Sequence, residues 1–188
     1  MEAARRKILT VPNLLSLLRL GLIPVFVSCY IRGLYVETAV FLILSGLTDV
    51  ADGWIARRFG AISDLGKVLD PAADKLTQAA MLLMLIGDHP QMQLPFILLM
   101  IKESIMSVMG LLVIRSTGAV PSAVWHGKLT TMLLFLIMFM HVIWKDIPAP
   151  ASNTMIVLCM VMMLYSLAAY AISNARRIRC SKAAGTPR

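Results

Sequence analysis

Four aspartates in a block flanked by apolar runs are the residues whose types and spacing could carry out chemistry. Asp49 and Asp52 are three residues apart, and Asp70 and Asp74 are four apart. On a helix, each of these spacings places both carboxylates of a pair on one face. Ionised groups at membrane depth are costly and mark functional sites. We therefore expect a function that uses all four acids.

The acids predict a metal site, because converging carboxylates repel one another unless a cation neutralises them. Ligands that are all oxygen select hard ions, which favours Mg²⁺ or Mn²⁺ and leaves Ca²⁺ open. Histidine and cysteine are absent from residues 49–74, which argues against zinc. Four acids can hold two ions, and a two-ion site stabilises both oxygens of a phosphoryl displacement.

Small residues beside the acids suit a ligand that carries phosphate. Gly53 and Ala56 share a helical face with the first acid pair, and Gly66 precedes the second pair. Such residues let a ligand approach the backbone closely. Arg57 follows Gly53 by one helical turn and can pair with a phosphate.

The elements that must position these residues are membrane helices. Hydrophobic residues make up 59% of the 188-residue chain and charged residues 15%, and mean hydropathy is +0.78. A helix needs roughly 20 apolar residues to cross a bilayer. The sequence predicts an all-α bundle of six transmembrane helices, at about residues 13–31, 36–56, 69–87, 93–114, 125–144 and 153–173.

The basic residues predict the orientation of this bundle. With the N-terminus inside, 13 of the 18 Lys and Arg residues fall on the cytoplasmic side, as the positive-inside rule requires. Both termini are then cytoplasmic. A rise of 1.5 Å per residue places the two acid pairs at matched levels, about 20 to 26 Å from the outer ends of helices 2 and 3. We expect one membrane domain over residues 1–188, with a basic segment at about 1–12 and a disordered tail at about 181–188.

Composition also excludes other classes. The net charge of +8 lies mainly at the two ends of the chain, where it suits topology and contact with anionic lipids. A basic module interleaved with aromatic residues is absent, so we expect no nucleic-acid partner. The three cysteines lack paired spacing and predict neither a disulfide framework nor a metal site.

The acidic block resembles the signature of the CDP-alcohol phosphotransferase family. The pattern D-x-x-D-G-x-x-A-R-x8-G-x3-D-x3-D matches this chain at eight fixed residues: Asp49, Asp52, Gly53, Ala56, Arg57, Gly66, Asp70 and Asp74. Six spans with the block across helices 2 and 3 also look like the family. The resemblance therefore covers essentially the whole chain.

The resemblance implies an enzyme that transfers the phosphatidyl group of CDP-diacylglycerol to an alcohol and releases CMP. Asp49, Asp52 and Asp70 would hold two divalent ions, and Asp74 would complete the metal site and act as base. The cytidine diphosphate would be held by the first two acids together with Gly53, Ala56, Arg57 and Gly66. The resemblance also implies a homodimer in a membrane, taken here as a bacterial cytoplasmic membrane, with the active site toward the cytoplasm.

The sequence indicates the acceptor alcohol less specifically than it indicates the donor. Residues 11–19 resemble the opening of phosphatidylglycerophosphate synthases and of CMP-forming cardiolipin synthases. Glycerol 3-phosphate is a dianion that needs cations, and the acceptor candidates are Lys102, Arg115 and Lys128. We expect glycerol 3-phosphate as acceptor, with cardiolipin synthase or a phosphatidylinositol-phosphate-type synthase as alternatives. Residues 127–131 lack the second lysine of the glycerophosphate enzymes, which keeps those alternatives open.

Two other classes of protein fit the sequence less well. An ion or proton transporter could use the acids as its pathway, but it would not require Gly53, Ala56 and Gly66 at these spacings. Visible internal repeats, common in transporters, are also missing from the sequence. A lipid-binding scaffold with a dead site would be expected to lose at least one acid.

Overall fold

The regular structure of the described residues is helical, which confirms the predicted all-α class. The computed structural model describes residues 11–59, 66–117 and 125–183. Within these ranges it contains six α-helices: α1 (Val11–Ile31), α2 (Tyr35–Phe59), α3 (Gly66–Ile86), α4 (Gln93–Thr117), α5 (Trp125–Ile143) and α6 (Ala149–Ala183). A short 3-10 helix, Pro90–Met92, precedes α4.

The observed helices lie close to the predicted apolar segments, except at the end of α6. That helix continues to Ala183, ten residues past the predicted end of its apolar run at residue 173. Apolarity ends there because Asn174, Arg176 and Arg179 follow, but arginine is a good helix former and lets the helix go on. Its last turn enters the segment for which a disordered tail was predicted. Residues 1–10 and 184–188 lie outside the described part of the chain.

The chain divides into two compact units. The first contains α1, α2 and α3 with residues Met138–Lys145, and the second contains residues His89–Ile137 and Asp146 onward. In the first unit α1 packs against both α2 and α3. Its core includes Phe26 from α1, Leu42 from α2 and Leu82 from α3, all fully buried. Helix α1 is thus the element shared by the two helices that carry the acidic block.

A polar cluster joins these helices at the end of the first unit remote from the acids. The Tyr30 hydroxyl donates to Asp88 Oδ2 at 2.7 Å and links the end of α1 to the residue that follows α3 by two positions. The Tyr30 ring meets the Tyr35 ring edge-on, with 5.4 Å between centroids. Lys145 Nζ donates to the Tyr35 hydroxyl at 2.7 Å. These contacts hold the end of α1 against the start of α2 and against the residues that follow α3, and they satisfy the hydrogen bonds of polar groups between the helices.

The turn between α1 and α2 depends on one glycine. Gly33 has φ of +75° and is the only residue with positive φ among those the structure describes. An L-residue in this left-handed region costs roughly 1–2 kcal/mol. We expect Gly33→Ala to lower the thermal unfolding midpoint in detergent. Gly21→Ala is the control, because a methyl group there meets no atom within 4 Å. An unchanged midpoint for Gly33→Ala would contradict this account of the turn.

The second unit is organised around α6. Helix α4 packs along α6, with Gln91 Nε2 donating to Ser152 Oγ at 3.0 Å near one end. Near the other end, the Tyr170 hydroxyl lies 3.5 Å from the position that a β-carbon on Gly110 would occupy. Both contacts pair residues in ascending order, so α4 and α6 run parallel. Helix α5 is tied to α6 by Thr130, whose hydroxyl donates to the Met162 carbonyl at 3.3 Å.

Within the described residues, three helical segments are long and apolar enough to cross a membrane. They are Asn13–Ile31, Pro90–Arg115 and Ala149–Arg176. Tyr35–Thr48 and Gly127–Ile143 are shorter apolar helices. Helix α3 carries Lys67, Asp70, Asp74 and Lys75 in its first half, which lowers its hydropathy. The charges that make α3 a functional candidate are therefore also the reason why its hydropathy is too low for a candidate membrane span.

Candidate active site

The second acid pair lies on the first half of α3. Asp70 and Asp74 are one helical turn apart, so their side chains leave the same face of the helix. Both are partly exposed, and 44% of the Asp74 side chain is accessible. Two carboxylates that are held on one helix and still reachable can bind a cation or accept a proton.

Helix α1 supplies a contact to each of these carboxylates. The Ser16 hydroxyl donates a hydrogen bond to Asp70 Oδ1. Arg19 Nη1 lies 3.6 Å from Asp74 Oδ1, within ion-pair range. From the first contact to the second, the residue number increases by three on α1 and by four on α3. Helices α1 and α3 therefore run parallel. The sequence pattern had predicted no role for Ser16 or Arg19.

A pattern in the sequence could have revealed this face of α1. Asn13, Ser16 and Arg19 are spaced by three residues in an apolar helix, and all three are buried. Leu14, Leu17 and Leu18, between them, are exposed. Polar residues repeated at helical spacing in a membrane helix predict a polar interior partner. For Ser16 and Arg19 that partner is the acidic face of α3.

For the first acid pair, Asp49 and Asp52, the structure describes the backbone only. Asp49 and Asp52 belong to α2, and α2 packs against α1, which also contacts α3. The side chains of the first pair lie outside the described residues, as do those of the predicted ligand-binding residues Gly53, Ala56, Arg57 and Gly66. The convergence of all four acids therefore stays a prediction, supported by the contact of both acidic helices with α1.

The described residues fit part of a hard-cation site. Asp70 and Asp74 provide carboxylate oxygens one turn apart, the donor type that Mg²⁺ and Mn²⁺ prefer. Among the described side chains no group of three or more His, Cys, Asp or Glu residues is close enough to hold a metal. A complete site on this face needs further ligands, and Asp49 and Asp52 of α2 are the ones that the sequence pattern predicts.

The three acceptor candidates lie in the second unit in different surroundings. Lys102 is only 4% exposed, and its Nζ donates to Glu103 Oε1 at 2.7 Å. Arg115 and Lys128 are exposed, near the end of α4 and the start of α5. Thirteen residues of helix correspond to about 20 Å, so Lys102 and Arg115 occupy different levels of α4. A single small phosphate does not span that separation.

Comparison with known proteins defines the class to which this helical fold and acidic site belong. The family model for CDP-alcohol phosphatidyltransferase matches residues 9–174. Because the match includes most of the chain, the protein belongs to the CDP-alcohol phosphatidyltransferase family.

Two curated relatives show the range of activities near this chain. A protein of Rickettsia bellii named CDP-diacylglycerol–glycerol-3-phosphate 3-phosphatidyltransferase is 33% identical over 51% of this chain and 55% of its own length. A Streptomyces coelicolor protein named cardiolipin synthase (CMP-forming) is 34% identical over 68% of this chain and 62% of its own length. The chain thus spans little more than half the length of the curated relatives it matches.

Proposed function

We propose that this protein transfers the phosphatidyl group of CDP-diacylglycerol to glycerol 3-phosphate and releases CMP. Family membership supports the donor and the reaction class. The name of the Rickettsia relative supports the acceptor. The observation that carries the proposal is the pair of accessible carboxylates on α3, held by Ser16 and Arg19 of a helix that also packs on α2.

The proposed reaction assigns a role to each acidic side chain. Asp49, Asp52 and Asp70 hold two divalent ions, Mg²⁺ or Mn²⁺, with Asp74 completing the set. When bound, these ions neutralise the charge of the diphosphate and of the departing CMP. Gly53, Ala56, Arg57 and Gly66 hold the cytidine diphosphate, with Arg57 pairing with a phosphate.

Asp74 acts as the general base on the acceptor. An alcohol is a weak nucleophile, so a positioned carboxylate must take its proton as the oxygen attacks phosphorus. The new phosphorus–oxygen bond forms as the bond to CMP breaks, and CMP leaves with the bonding electron pair. The proton ends on the Asp74 carboxylate. Its 44% exposure leaves space for an acceptor hydroxyl to approach.

The acceptor phosphate is proposed to bind Arg115 or Lys128, because both cations are exposed near helix ends. Lys102 is the weaker candidate of the three, since its ammonium is buried and bonded to Glu103. Glycerol 3-phosphate is a dianion, and charge-assisted bonds from Arg or Lys are the strong contacts available to it.

The proposed setting is a membrane with six spans and both termini on the cytoplasmic side. The six observed α-helices and the three apolar candidate spans support a membrane bundle. The orientation is proposed from the distribution of Lys and Arg along the sequence. In this setting a lipid donor reaches the acids laterally and a water-soluble acceptor arrives from the cytoplasm. A homodimer in a bacterial cytoplasmic membrane is proposed from the family resemblance, and both relatives described above come from bacteria.

The second candidate function is a CMP-forming cardiolipin synthase with phosphatidylglycerol as acceptor. The name of the Streptomyces relative supports it. Such an enzyme would need less positive charge for its acceptor than one that binds a free phosphate dianion.

An acceptor screen tests both functions. Purified protein in detergent is supplied with CDP-diacylglycerol, Mg²⁺ and one acceptor at a time, and CMP release is measured. We expect glycerol 3-phosphate to give the highest kcat/KM, compared with phosphatidylglycerol, inositol phosphate and serine. Preference for phosphatidylglycerol would replace the leading proposal with the second. No CMP from any acceptor, in protein that remains folded, would contradict both.

A further inference from the structure

A buried polar face of α1 lies behind the acids of α3 and has no role in the chemistry described so far. It consists of Asn13, Ser16 and Arg19, which are 2%, 0% and 1% exposed. An arginine enclosed at this depth in a candidate membrane span is expensive and marks a function. Arg19 could serve such a function in two ways, by contacting a ligand or by acting through another residue.

Relative exposure separates these two roles. The Arg19 side chain is 1% accessible, whereas the Asp74 side chain that it faces is 44% accessible. A ligand arriving from outside can reach the carboxylate, while the guanidinium is enclosed. Arg19 therefore lies behind Asp74 relative to any incoming substrate or ion.

Ser16 likewise lies on the buried side of Asp70. Its side chain is completely buried and donates to Oδ1 of the partly exposed carboxylate. Each acid of α3 is thus contacted on its inner side by one residue of α1. Residues that hydrogen-bond ligating carboxylates fix their orientation, and their loss typically costs about 10- to 100-fold in metal affinity or activity.

We infer that Ser16 and Arg19 are positioning residues that hold Asp70 and Asp74 in the geometry needed to bind divalent ions and the acceptor. The inference rests on the proposed function for its catalytic consequence, but its effect on ion binding can be measured separately. Helix α1 then serves as a rigid support for the acidic site, because its contacts with α3 repeat at successive turns. A hydrogen bond and an ion pair at fixed spacing also set the axial register of the two helices.

Mn²⁺ binding followed by electron paramagnetic resonance tests the inference without relying on turnover. We expect Arg19→Gln and Ser16→Ala to weaken Mn²⁺ binding by about 10- to 100-fold. Arg19→Lys keeps the charge but loses the planar fork of donors, so it should recover part of the affinity. In the CMP assay, Arg19→Gln should lower kcat more than it raises the KM for CDP-diacylglycerol.

Tyr30→Phe is the matched control. It also removes a contact between α1 and the end of α3, the bond from the Tyr30 hydroxyl to Asp88, but at the opposite end of the helices. A merely structural role for Arg19 predicts that both variants lower the thermal unfolding midpoint and leave Mn²⁺ affinity unchanged. A positioning role predicts that Tyr30→Phe retains wild-type Mn²⁺ affinity and that Arg19→Gln does not.

The outcomes distinguish this inference from the proposed function. Wild-type protein that binds Mn²⁺ but releases no CMP contradicts the proposed function, and the contrast between variants still decides the positioning role. Wild-type protein that releases CMP, with Arg19→Gln and Ser16→Ala binding Mn²⁺ normally, overturns the positioning role alone. Absence of Mn²⁺ binding by the folded wild-type protein overturns it as well.

Discussion

Replacing Asp74 with asparagine is expected to lower kcat for CMP release by about 100- to 10,000-fold, the range that general-base catalysis contributes. Asparagine has nearly the shape of aspartate but cannot take the proton of an acceptor hydroxyl. Binding of CDP-diacylglycerol should persist if the remaining acids hold the ions. The measurements are the rate of CMP release at saturating substrates and donor binding at equilibrium.

Asp88→Asn is the matched control for this change. Asp88 lies two residues past the end of α3 and accepts a hydrogen bond from Tyr30, remote from the proposed site. Asp74→Asn also removes the carboxylate charge 3.6 Å from the buried Arg19, which can destabilise the protein. Unfolding midpoints of both variants must therefore accompany the rates. Near-normal turnover by folded Asp74→Asn would remove its assignment as the base.

Removal of divalent ions is expected to abolish CMP release completely. Without cations, four carboxylates directed at one site repel one another and also repel the diphosphate of the donor. Excess chelator should stop the reaction, and added Mg²⁺ or Mn²⁺ should restore it. Zn²⁺ should restore it poorly, because the predicted ligands are carboxylates without histidine or cysteine.

The control for chelation is the donor binding of the same preparation after the ions are returned. Recovery of both binding and turnover shows that the protein stayed folded throughout. Full activity in excess chelator would contradict the two-ion mechanism, even if Asp74→Asn is inactive. Chelation therefore tests the metal site. Donor binding by Asp74→Asn then shows whether its loss of turnover comes from the missing base or from a lost ion.

The sequence was sufficient to predict the helices and the acidic pattern. Apolar runs of about 20 residues, separated by charged and Gly- or Pro-containing segments, predicted six helices that the structure contains. Hydrophobic length is a local property, and so it can be read without knowledge of packing. The spacing of Asp70 and Asp74 likewise predicted a shared face of α3, because helical geometry alone fixes it.

The contacts of α1 could not be predicted in the same way. Residues 16 and 70 are 54 positions apart, and no periodic pattern states which helix faces which. The surroundings of Lys102 could not be predicted from the sequence either. The sequence presented it as a cation available to an acceptor, whereas packing encloses it and pairs it with Glu103.

By itself, the sequence determined the helical class, the segments able to enter a bilayer and the carboxylates that repeat at one-turn spacing. Only the tertiary structure decided that Ser16 and Arg19 stand behind Asp70 and Asp74, and which cations remain accessible. The physical reason is that hydropathy and helical period act within about one turn or one span of the chain. Burial and ion pairing depend instead on the side chains that neighbouring helices bring into contact.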